Sequence, residues 1–163
     1  MKGSKQLVAA AVLALVPCAA NAQAYVTERT LSLNAGLEMA TVALEACRKE
    51  GYRVTVTVLN RAGRTLVVLH DNANPHTIEN SLRKAYTSLT YRVPSGEFGK
   101  RMAALPPPHG AMLLDKVTSA EGALPIMSGK ELIGTIGISG APGGHRDAAC
   151  AQVGIDKIAP GLK

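Results

Sequence analysis

The 163-residue chain is poor in aromatic side chains, with one Phe, no Trp and 3% aromatics overall. Proteins that bind single-stranded nucleic acid stack bases on aromatic platforms beside a basic stripe. Neither feature is visible here, so no nucleic-acid partner is expected. Deep pockets for large flat ligands are also usually lined by aromatic residues. Their scarcity favours a shallow or inter-subunit site over a deep one. Cysteine is scarce too, with three residues and no C-x-x-C pair, which removes zinc-ribbon and thioredoxin chemistry. No strand runs directly into a Gly-rich phosphate loop, so a dinucleotide fold is unsupported. The histidines lack both the i, i+4 helical spacing of a zinc enzyme and an accompanying acidic cluster, which argues against a metal-only centre.

Long apolar runs are absent apart from Leu7 to Val16, which follows Lys2 and Lys5. That run is too short to cross a bilayer as a lone helix. The small residues of Ala20-Asn21-Ala22 and Ala22-Gln23-Ala24 follow it as a signal-peptidase site would. Pro17 fits poorly in a lipoprotein box ahead of Cys18. Residues 1–24 therefore read as a signal peptide and 25–163 as one domain, located in the periplasm or secreted. The formal charge of +6 falls to +4 without the two signal lysines, a mildly basic surface suited to an anionic small molecule. Outside the signal only Cys47 and Cys150 remain. An oxidising compartment permits a disulfide, two buried thiols are equally compatible, and sequence does not decide between them.

The stretch Gly122 to Gly144 organises the rest. Two β-rich runs, Ala123 to Met127 and Glu131 to Ser139, flank Ser128-Gly129-Lys130, where glycine can take the positive φ of a hairpin turn. Alternation puts Leu132, Ile136 and Ile138 on one face and Ile133, Thr135, Gly137 and Ser139 on the other. Glycines inside a strand mark a close approach to the backbone, by a packed helix or by a flat ligand. Gly134 and Gly137 are such positions, with helix packing the plainer reading.

Upstream, Leu37, Ala40, Leu44 and Cys47 recur at helical spacing over Ser32 to Glu50, with Ser32 as N-cap and Gly51 past the C-terminus. Val54, Val56 and Val58 alternate with threonines, and after Asn60 to Arg64 a second strand runs from Thr65 to His70, making a first hairpin. His70 falls at its end on the face of Leu66 and Val68, where a structural histidine is the simpler reading. Thr77 can cap a helix to about Arg92 whose apolar stripe is Ile78, Leu82, Ala85 and Leu89. Pro94 ends it, Ser95 can cap a shorter helix to Met102, and Pro106-Pro107-Pro108 forces an extended connection. Met112 to Val117 reads as a further strand, and His145 to Ile158 as a last helix with Ala148, Ala151, Ile155 and Ile158 on one face. Hairpin-linked strands are antiparallel, so an α+β domain with about five antiparallel strands is expected.

Three segments resemble the GlcG/HbpS haem-binding family, also called the haem-degrading domain. They are Leu124-Pro125-Ile126, the run Ile133-Gly134-Thr135-Ile136-Gly137-Ile138-Ser139-Gly140-Ala141 followed by Asp147, and Lys84-Ala85-Tyr86-Thr87. The hairpin from Val54 to Val68 with Gly63 is similar to the family's first hairpin. Together the likeness covers about Leu31 to Ile158. The resemblance implies a profilin-like three-layer α/β/α domain, assembly into a homo-oligomer, and binding of haem. In exported members it also implies haem capture, storage or sensing beside a membrane-protein partner, with slow haem degradation at most. Other relatives are linked to glycolate metabolism or corrinoid handling. Ala123 stands where the family often has a second glycine, and its methyl could narrow a pocket there.

Haem requires an axial donor, apolar contact and partners for two propionates. Among the imidazoles, His76 just before the Lys84 helix and His109 after the prolines are the leading metal donors. Lys84 is the candidate propionate partner, and Thr87 and Gly137 are candidate pocket lining. Tyr86, Tyr91, Met102 and Met112 are weaker axial alternatives. Ser139 in G-I-S-G-A lacks the second glycine of a nucleophile elbow, so a structural serine is the better reading and no catalytic residue is assigned. The alternative function is an enzyme, or an enzyme's accessory subunit, that binds a small organic acid or another cofactor.

Overall fold

The computed structural model describes residues 24–107 and 110–162. Nearly all of the expected signal peptide, together with His109, lies outside them. Four helices, α1 (Leu33–Lys49), α2 (His76–Tyr91), α3 (Ser95–Ala103) and α4 (Gly144–Ile158), accompany four strands, β1 (Thr55–Asn60), β2 (Thr65–His70), β3 (Ala123–Ser128) and β4 (Glu131–Ser139). The strands form one sheet in the order β2-β1-β4-β3, and every neighbouring pair is antiparallel. Among the described residues no helix is long and apolar enough to cross a membrane.

The mixed α/β class and the three layers stand as expected, with four strands instead of about five. Met112 to Val117 does not pair. The chain makes a short 3-10 turn over Gly110–Leu113, and Val117 N donates back to Leu114 O at 3.0 Å. Only Val117 of this run is buried, while Leu113 is 75% exposed. The run pairs with neither edge of the sheet, β2 or β3, and on β3 Pro125 has no N–H to donate.

One face of the sheet is the apolar core. Val56, Val58, Ile136 and Ile138 from the strands meet Met39, Ala40, Ala43 and Leu44 of α1 and Ala151 and Ile158 of α4. Burial of each Val, Ile, Leu or Met side chain among these contributes about 1.5–3 kcal/mol, and each Ala less. Ser32 caps α1 as expected, its hydroxyl accepting from Ala35 N at 3.3 Å. Leu37, expected in the stripe, is half exposed, and Gly36 takes the place against Val58. A bulge in the β1–β2 ladder, where Val58 pairs Val67 but Leu59 pairs Thr65, sets Leu66 and Val67 together against this core. The strand then resumes its alternation, so Val68 and His70 turn to the opposite face. His70 therefore shares a face with Val68 but not with Leu66.

That opposite face is covered by α2, and its chemistry differs from what the apolar pattern predicts. The buried residues of α2 are Thr77, Ser81, Lys84, Ala85, Thr87 and Ser88, so of the expected stripe only Ala85 is fully buried. Ile78 is 47% exposed, and Leu82 and Leu89 are half buried. Hydroxyls meet hydroxyls across the interface: Thr55 with Thr77 at 2.7 Å and Thr57 with Ser81 at 2.8 Å. Thr135 donates to Ala85 O at 3.1 Å and Asn80 to Ser139 at 2.9 Å. A buried polar group without a partner costs about 1–3 kcal/mol, and among the described residues none is left unpaired. Thr77 serves this layer and leaves α2 without a side-chain N-cap.

Cys47 of α1 and Cys150 of α4 are joined as a disulfide, with Cα atoms 5.5 Å apart. The bridge closes a loop with a sequence separation of 103 residues, long enough for a stabilisation of about 4–5 kcal/mol in the chain-entropy account and less where strain intervenes. Cys47→Ser with Cys150→Ser is expected to lower the unfolding free energy by about 2–4 kcal/mol in a urea titration monitored by circular dichroism. An unchanged midpoint would show that the bridge adds no stability.

Candidate functional site

The sheet end formed by the start of β1 and the finish of β4 is flanked by the first turns of α2 and α4. Between them lies an open cavity of about 690 Å³ with a mostly polar lining. Its walls include Arg53, Asn74, His76, Asn80 and Ser139, together with the carboxylate-bearing Glu121. Neither helix has a side-chain N-cap at this end. Thr77, Ile78 and Arg146 already donate their backbone N–H groups to the residues just before each helix, so the helix starts favour an anion in the groove chiefly through the positive ends of their dipoles.

The floor of the groove is a buried ion pair. Lys84 Nζ donates to Asp147 Oδ2 at 2.8 Å and to Ile138 O at 2.9 Å, and Asp147 Oδ1 accepts from Ala141 N at 3.0 Å. Both side chains are all but fully buried. Three elements are tied at one point: α2 through Lys84, the end of β4 through Ile138, and α4 through Asp147. Gly122 completes the knot, because a Cβ there would lie 2.7 Å from Lys84 Nζ and 2.8 Å from Asp147 Cβ, at a φ of +134°. Burial pushes the Asp147 carboxyl above its ordinary range, outweighing the lowering pull of the Lys84 ammonium and the Ala141 N–H.

The expected site residues fall in different places. His76 is exposed on the rim of the groove. Lys84 reaches the groove floor, but its charge is held by Asp147, so it does not serve as a free propionate partner. Thr87 is fully buried, donates to Arg83 O at 2.8 Å and accepts from Thr118 N at 2.9 Å. It fastens the 118 segment to α2 and does not line the groove. Gly137 is corrected as a ligand contact, because α2 occupies the space above it. A Cβ there would lie 2.3 Å from Ser81 O and 2.7 Å from Ala85 N. Ala123 is buried, its N–H bound to Ser95 Oγ at 3.0 Å, and its methyl does not reach the groove. Arg53, Asn80 and the two helix N-termini were not identified from the sequence, since they come from separate segments that only the fold brings together.

Beside the groove, α2 lies over β1, β4 and β3 and leaves the same face of β2 bare. Exposed Val68 and Ile78 (46% and 47%) and half-buried Leu82 form an open apolar flank. The groove and the flank meet at the first turn of α2, where His76 and Thr77 face one and Ile78 the other. Among the described residues no cluster of three or more His, Cys, Asp or Glu could hold a bare metal ion.

This architecture, a four-stranded antiparallel sheet between helices with a polar groove at one sheet end, defines the class. Residues 31–156 match the family model of the haem degrading protein HbpS-like family, and the chain belongs to that family. It is similar to the crystal structure of a double mutant of Streptomyces reticuli HbpS, with a TM-score of 0.78 and 32% identity over 89% of this chain and 98% of that one. A second HbpS structure has the same score and identity over 86% and 98%. The fold is shared with Klebsiella pneumoniae protein ORFY, with a TM-score of 0.77 and 23% identity over 83% and 95%. It is also shared with the PduOC:heme complex, with a TM-score of 0.71 and 23% identity over 78% and 94%. No curated protein matches the chain.

The residues fit what haem requires, although they divide the task between two adjoining surfaces. The groove offers cationic and N–H partners for carboxylates, the flank offers apolar contact for a macrocycle, and exposed imidazoles stand beside both. When bound, haem would supply iron redox chemistry, and this chain's own residues would hold and orient it.

Lys84→Met should cost about 3–5 kcal/mol, because it strands a buried carboxylate, and the double variant Lys84→Met with Asp147→Leu should recover most of that loss. Denaturant unfolding of the three proteins tests this. A single variant as stable as the parent would contradict the role given to the pair.

Proposed function

We propose that the protein is an exported haem-binding protein that captures or stores haem, with the propionates in the polar groove. The observation that carries this reading is the convergence of two uncapped helix N-termini and Arg53 on one groove in a chain of the HbpS-like family. His76 on the rim adds a further carboxylate partner. The Cys47–Cys150 disulfide supports export, since such bridges persist in oxidising compartments. Leu33, Leu37 and Val153, exposed on the outer side of the α1–α4 layer, support assembly of several copies.

A second reading is favoured by the polar lining of the groove, which suits a small organic acid without any macrocycle. The carboxylate would then be held by the same helix N-termini.

Titration with haemin separates the two. The haem reading predicts a saturable Soret change that weakens as ionic strength rises, since the propionates are held by charge. Absence of any saturable change up to excess haemin contradicts it. Calorimetric heat from glycolate or a similar small acid in that case would favour the second reading.

A further inference from the structure

The hydrogen bonds beneath His70 fix which of its ring nitrogens carries the proton. Asn74 O can only accept, so the Thr77 hydroxyl, 2.7 Å away, directs its single proton there. Thr77 Oγ1 then accepts from the Thr55 hydroxyl at 2.7 Å. With its proton so placed, Thr55 Oγ1 accepts from His70 Nδ1 at 2.8 Å. Thr55 and Thr77 are 0% and 1% exposed, so water does not intervene. The neighbouring relay runs the same way, with Ser81 donating to Ile78 O at 3.0 Å and Thr57 to Ser81 at 2.8 Å. In the neutral ring the lone pair is thus left on Nε2.

Histidines that ligate metals almost always donate their other ring N–H to a protein acceptor, which fixes tautomer and ring orientation. His70 already has that supporting bond. Among the described residues no hydrogen bond fixes the ring of His76 or His145. His70 is itself exposed, and the β2 bulge turns it and Val68 to the bare side of the sheet. There they adjoin the Ile78, Leu82 and Leu89 side of α2, which Leu89 marks by its approach to Gly63 in the β1–β2 turn.

We propose that His70 Nε2 is the axial donor to the iron of a haem-like flat metal macrocycle lying on the apolar flank between β2 and α2. The proposal deepens the haem reading and rests on it. The Nδ1–H to Thr55 bond holds the imidazole ready, so binding needs no change of tautomer.

Two measurements test it. Nitrogen-15 imidazole spectra of the ligand-free protein should show neutral His70 protonated on Nδ1, and the Nε2–H tautomer would overturn the proposal. Haemin titrations should show that His70→Ala shifts the Soret band and weakens binding, that free imidazole restores the parent spectrum, and that His145→Ala, outside the groove lining, keeps the parent spectrum. Thr55→Val, which removes the acceptor but keeps the side-chain shape, should weaken haemin binding about 10–100-fold. If the parent binds haemin and His70→Ala has the same spectrum and affinity, the donor assignment falls while the haem reading stands. If the parent takes up no haemin, both fall.

Discussion

The buried Lys84–Asp147 pair is the contact on which the functional end of this domain depends. An ammonium and a carboxylate enclosed at 2.8 Å persist only if their remaining donors and acceptors are satisfied, because desolvation otherwise exceeds the Coulombic gain. Ile138 O and Ala141 N do this, and both belong to the end of β4 or the loop after it. The pair therefore fixes the first turn of α4 and the middle of α2 against the same sheet end. The groove, with its two open helix N-termini, is the space this arrangement leaves.

The two faces of the sheet are held by different physics. Toward α1 and α4 the contact is aliphatic, and the disulfide reinforces it. Toward α2 it is a layer of hydroxyl pairs whose protons run from sheet to helix backbone, a network that is strong only when every member is satisfied. Such directional contacts position a side chain more closely than apolar packing does. They place the His70 ring as well, so the same layer that seats α2 also orients a nitrogen toward solvent.

Much of the fold was legible in the sequence wherever one apolar period governs an element. The α1 stripe apart from Leu37, both hairpins and the turn at Gly129, whose φ is +60°, follow from spacing and glycine chemistry. The failures have physical causes. On α2 the most apolar residues, Ile78, Leu82 and Leu89, face outward or sideways, because the sheet beneath presents threonines and the helix answers with Thr77, Ser81 and Ser88. Met112 to Val117 reads as a strand by composition, but a 3-10 turn takes up its start and it pairs with neither edge of the sheet. The bulge at Leu66 and Val67 breaks an alternation that would have set Leu66 beside His70. Lys84 and Asp147 stand 63 residues apart, and nothing local to either announces the other. Gly137 was recognised as a point of close approach, and the approaching group is α2.

In the proposed haem site the first turn of α2 divides one ligand surface into a polar groove for carboxylates and an apolar flank for a ring. Gallium protoporphyrin, a diamagnetic stand-in for haem, allows this surface to be mapped by amide chemical-shift perturbation. Perturbations are expected at β2 residues 68–70, the first two turns of α2 and the loop from Gly140 to Gly144. Perturbations confined to the outer faces of α1 and α4 would contradict that division.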